Sequence, residues 1–95
     1  MSETVRIVEV TDDLGIVADI GGKERTLKLC GIVPKESAKG YIEDAIAGKS
    51  VPVVRHGGKL ADVFVPKDGG EIYLNGILVL EGLATVDVHI SKILL

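Results

Sequence analysis

Residues 4–32 read TVRIVEVTDDLGIVADIGGKERTLKLCGI, and the punctuation of this stretch decides the fold. The first run, 4–10, is rich in β-branched residues, which suit a pleated, half-buried surface. Asp12 and Asp13 then supply turn chemistry. From 14 to 20, Leu14, Ile16, Ala18 and Ile20 alternate on one face while Val17 and Asp19 face the other way. Gly21-Gly22 suits a tight two-residue turn, because glycine accepts the positive φ that such turns require. Over 24–32, Leu27 and Leu29 alternate against Thr26, Lys28 and Cys30, which makes Cys30 a small strand residue. The expected product is a meander of three antiparallel strands.

Beyond the meander the period changes. Pro34 breaks the strand pattern, and Ala38, Tyr41, Ile42, Ala45 and Ile46 fall on one face of a helix. Ser37 is placed to cap its start, and Gly48 to occupy the left-handed position past its end. Val51, Val53 and Val54 form a fourth strand, in which Pro52 marks an edge or a bulge. His56-Gly57-Gly58 turns the chain into a fifth strand over 60–65. After a turn at Asp68-Gly69-Gly70, Asn75 is read as the cap of a short second helix ending at Gly82. The expected fold is mainly β: a five-stranded OB-fold barrel with one helix between strands 3 and 4 and a short second helix after strand 5. No linker or repeat interrupts residues 1–95, so one domain is expected.

Composition narrows the function classes. The chain is 46% hydrophobic, above the range of a disordered polymer, and its apolar runs are too short to cross a bilayer. With 11 basic against 14 acidic residues, no chain-wide attraction to phosphate exists. Tyr41, Phe64 and Tyr73 are the whole aromatic complement, a poor supply for stacking bases. Cys30 is the single cysteine and cannot close an intrachain disulfide. The N-terminus has no basic-then-apolar signal pattern, so a reducing cytoplasm is the expected setting.

Three stretches carry a family resemblance. TLKLCGIVPKES (26–37) resembles the Arg-Leu-x-Gly-Ile-Asp-x-Pro-Glu segment of staphylococcal-nuclease-like (thermonuclease) domains. IYLNGILVLEGLATV (72–86) is similar to their Val-Asn-x-x-Leu-Val-x-x-Gly-Leu-Ala-x-Val helix, and GKSVPVVRHGGKLADVFV (48–65) to the hairpin between. The similarity runs over residues 5–86 in the family's order, and the fold it implies is the same OB barrel. In those nucleases two aspartates hold calcium, a hard ion that prefers several oxygen ligands. A glutamate activates water, and two arginines brace the phosphate with their two-pronged hydrogen bonding.

Carried over by the resemblance, the general-base position falls on Glu36 and the first arginine on Lys28. The two calcium-binding aspartates fall on Leu14 and Val33. The second arginine falls on Gly58, with Lys59 next to it. The implied reading is a non-catalytic domain serving as a binding or assembly module without a cofactor. Two alternatives stand beside it. One is a divergent Ca²⁺-dependent nuclease or phosphodiesterase that recruits Asp12 or Asp13 and Glu36, helped by Lys28. The other is an OB-fold that binds nucleic acid without cleaving it.

The remaining candidates each admit a plainer role. Glu36 is either a relic of the general base or a carboxylate meeting a helix start favourably. Asp12 and Asp13 are turn residues or part of a cation site. Lys28, Arg55 and Lys59, with Lys23 and Arg25, are a ligand-binding basic patch or a mixed surface diluted by Asp19, Glu24 and Asp62. His56 and His89 have no Cys, His or Asp at ligand spacing, so no metal is expected. Nothing near Cys30 in sequence would activate it. Finally, Leu80 makes the ILVL helix apolar nearly all round, and the tail ends in Ile90, Ile93, Leu94 and Leu95. Either the tail folds back to complete the core or these residues form a homodimer interface. A protein partner is expected ahead of nucleic acid, and a membrane is not.

Overall fold

Alternating burial along the strands shows how the barrel arises. The computed structural model describes residues 2–87, so the expectations for His89, Ile90, Ile93, Leu94 and Leu95 lie outside the described residues. The strands are β1 (Glu3–Val10), β2 (Ile16–Ile20), β3 (Lys23–Leu29) and β4 (Ile32–Pro34), followed by α1 (Lys39–Ile46). After α1 come β5 (Ser50–Arg55), β6 (Leu60–Lys67), β7 (Gly70–Tyr73), α2 (Leu74–Leu80) and β8 (Ala84–Val86).

Neighbouring strands pair antiparallel in the order β3-β2-β1-β5-β6, with β7 added outside β6. The ring closes through a parallel contact between β3 and β6, at Lys28↔Leu60 and Leu29↔Ala61. The result is a closed, five-stranded, OB-like barrel, whose closure leaves few strand edges unpaired. Val5, Ile7, Ile16, Ala18, Leu27, Val51, Val53 and Val63 fill it from β1, β2, β3, β5 and β6. Ile42 and Ile46 of α1 and Leu74 and Leu78 of α2 join the same core. These side chains are aliphatic, so the core depends on shape and buried area without aromatic plates.

Several sequence expectations need correction. The run 24–32 is not one strand. Cys30 and Gly31 form a turn, with Gly31 at φ 79°, and redirect the chain so that Ile32–Pro34 pairs with Ala84–Val86 instead. Leu14 is not on β2 but in the preceding turn at φ 66°, where Thr11 N–H donates to Gly15 C=O. Ser37 caps nothing, because it sits inside a 3-10 turn (Glu36–Ala38) that precedes α1. Asn75 is no cap either: α2 already begins at Leu74, and Asn75 is buried within it. Pro52 lies on a strand flanked on both sides, yet opposite Thr4 and ahead of the stretch 53–55 that pairs with β6. One flank of Pro52 therefore carries no ladder, which accommodates its missing N–H.

Candidate functional site

Leu14, Lys28 and Val33, three positions that the resemblance carries onto ligand or phosphate roles, line one cavity of about 300 Å³. The turn before β2, the end of β3 and the short β4 bring them together. Among the described residues the carboxylates on its wall are Asp13 and Asp87, the latter without a signal in the sequence. Asp13 accepts a hydrogen bond from the Thr11 hydroxyl, which holds its carboxyl below the usual range. Asp12 points elsewhere, into an ion pair with Lys39 at 2.7 Å that lowers its pKa and raises that of the lysine. Glu36 is exposed on the 3-10 turn and is not among the residues lining the cavity.

Calcium takes six to eight oxygens, roughly, and is served poorly by two carboxylates sharing their cavity with a lysine. Leu14 and Val33 line the same cavity with aliphatic side chains, which offer a cation no oxygen.

The basic residues divide. Arg25, Arg55 and Lys59 line a second cavity of about 230 Å³, while Lys28 faces the first. Lys28 N–H donates to Lys59 C=O at 2.7 Å, so the backbones touch although the side chains serve different spaces. Arg55 is paired with Glu3 at 3.2 Å, which partly neutralises it. Gly58 has φ 55°, a conformation in which an arginine side chain would be strained.

A polar cluster that sequence spacing hid lies at the barrel seam. His56 Nε2 is 2.6 Å from Asp62 Oδ2, and Tyr73 donates its hydroxyl to Asp62 Oδ1 at 2.7 Å. Asn75 Nδ2 donates to Cys30 C=O at 3.0 Å and Ala61 C=O at 3.1 Å, and makes a longer contact of 3.4 Å with Asp62 Oδ1. Asn75 Oδ1 accepts from Val63 N–H at 3.0 Å. The β3–β6 register, with Leu29 opposite Ala61, explains why Cys30 meets Asp62. Burial and then the Asp62 charge push the Cys30 thiol up; the Tyr73 hydroxyl is raised by burial and by its bond to Asp62.

A thiol so raised is a weak nucleophile at neutral pH. Alkylation of metal-free folded protein by iodoacetamide is therefore expected to be slow at neutral pH, to rise with pH, and to become fast in urea. Rapid alkylation of the folded chain at neutral pH would contradict the assigned environment. Comparison with protein-family models and with curated proteins finds no match to the chain.

Proposed function

We propose that the chain is a staphylococcal-nuclease-like OB-fold domain that has lost nuclease chemistry and acts as a binding or assembly module, as a homodimer in a reducing cytoplasm. The observation that carries the reading is the joint presence of Leu14, Lys28 and Val33 on one cavity wall. Aliphatic groups stand there in place of the oxygens that hold calcium in the family the sequence resembles. Without the ion, Glu36 has no activated water to serve. Incubation with denatured DNA and RNA, with and without millimolar calcium, is expected to leave both intact. Calcium-dependent cleavage abolished by Glu36→Gln would sink the reading.

The proposed assembly surface centres on Leu80, which is 82% exposed, beside Val86 and Tyr73. With Val79 they line an apolar groove of about 300 Å³, which a second copy would cover in a two-fold, self-complementary contact. Sedimentation is expected to show a mass that rises with concentration and returns to monomer in Leu80→Glu. A monomer at every concentration ends the dimer.

One observation favours a second reading: Arg25, Arg55 and Lys59 share a cavity. Nucleic-acid binding there would fall steeply with salt and weaken in Lys59→Ala. A net charge of -3 and the scarcity of rings favour a protein partner instead.

A further inference from the structure

We propose that Cys30, His56 and Asp62 form a binding site for a divalent transition metal of the zinc class, at the seam where β3 and β6 close the barrel. One donor atom from each of the three side chains lies within 4.8 Å of the other two. Sulfur, imidazole nitrogen and a carboxylate oxygen are the ligands that zinc and cobalt accept together. The same set suits calcium and magnesium badly, since those ions prefer oxygen throughout. A thiolate and a carboxylate also balance the charge of a divalent ion, so the loaded site carries no net charge.

The surroundings orient the donors. The Tyr73 hydroxyl and the Asn75 amide engage Asp62 Oδ1, which leaves Oδ2 directed at His56. The Asn75 amide also grips the main chain of Cys30. Backbone bonds from Cys30 N–H to Ala61 C=O, 2.8 Å, and from His56 N–H to Leu60 C=O, 2.9 Å, tie two of the ligand positions to β6. Such outer contacts fix ligand geometry at metal sites and influence affinity.

Coordination exchanges the His56–Asp62 hydrogen bond for two metal bonds. The third bond forms as the Cys30 S–H proton leaves to buffer, and the imidazole binds neutral through Nε2, with its proton carried on Nδ1. Three protein ligands leave a fourth position for water or an outside donor. The apolar groove beside α2 shares Cys30 and Tyr73 with this cluster. The site is independent of the proposed loss of nuclease chemistry, because its donors lie outside the cavity of Leu14 and Val33.

The test is a Co²⁺ titration of reduced, untagged protein followed by absorption, then displacement by Zn²⁺. One equivalent is expected to bind with a thiolate-to-cobalt charge-transfer band that zinc abolishes. Cys30→Ser should lose the band. His56→Gln, in an exposed turn where folding is not at stake, should weaken binding more than about tenfold, and Tyr73→Phe about tenfold. Circular dichroism of each variant confirms that it is folded. Absence of saturable uptake by the reduced wild type overturns the site. So does a band whose affinity is unchanged in both His56→Gln and Asp62→Asn, which would mark a thiol acting alone beside an ordinary ion pair.

Discussion

Asn75→Leu is expected to destabilise the fold by about 3–4 kcal/mol, through buried polar groups that lose their partner. The side chain is 1% exposed and serves the N–H of Val63 and the C=O of Cys30, besides contacts to Ala61 and Asp62. Leucine fills a similar volume, so packing is largely kept and the polar loss is isolated. Ala61 C=O keeps the N–H of Cys30 as a partner, whereas this amide supplied the bonds to Val63 N–H and Cys30 C=O. For a domain of this size the loss corresponds to roughly 15–25 °C in melting temperature. Urea unfolding should show a lower midpoint at an unchanged slope. Asn75→Asp should do no better, since it keeps an acceptor for Val63 but sets a second carboxylate beside Asp62. A wild-type midpoint for Asn75→Leu would remove the amide from the account of stability.

Leu78→Ala is expected to cost about 3 kcal/mol, while Leu80→Glu, on the same helix, should fall within about 0.5 kcal/mol of wild type. Leu78 is 0% exposed and belongs to the barrel core; Leu80 is 82% exposed and belongs to none of it. Deleting three carbons from Leu78 removes transfer free energy and leaves a cavity that an aliphatic core closes only in part. Chemical denaturation at a concentration low enough to keep both variants monomeric separates the two effects. Equal destabilisation would mean that Leu80 is structural and that the proposed assembly surface is wrongly drawn.

The barrel strands were legible because alternation of apolar and polar residues survives wherever one face of a strand is buried. Gly48 and Gly82, both at positive φ, lie two residues past the ends of α1 and α2. What escaped depended on contacts distant in sequence. The division of 24–32 follows from Gly31 turning the chain toward β8, and the apolar pattern continuing across that glycine masked the turn. Asn75 looks like a cap from its position alone; its partners lie on β6 and at Cys30.

The candidate cavities were legible in the same uneven way. Leu14, Lys28 and Val33 meet at one cavity, but Lys28 is separated from Arg55 and Lys59, with which it was grouped as a basic patch. Asp87 reaches that cavity from beyond the last matched motif, so nothing in the resemblance pointed to it. The neighbours of His56 were hidden because Cys30 reaches it only through barrel closure and Asp62 only through the β5–β6 hairpin. A pairing of strand ends under the expected OB topology would have been the signal.

Calcium calorimetry on wild type beside Leu14→Asp/Val33→Asp tests most directly whether the cavity of Leu14 and Val33 takes calcium. Aspartate suits φ 66° at position 14 better than leucine does, so the first substitution meets no backbone obstacle. The account predicts no saturable heat for wild type and saturable calcium binding once the two carboxylates join Asp13 and Asp87. Saturable binding by wild type that disappears in Asp13→Asn would contradict it.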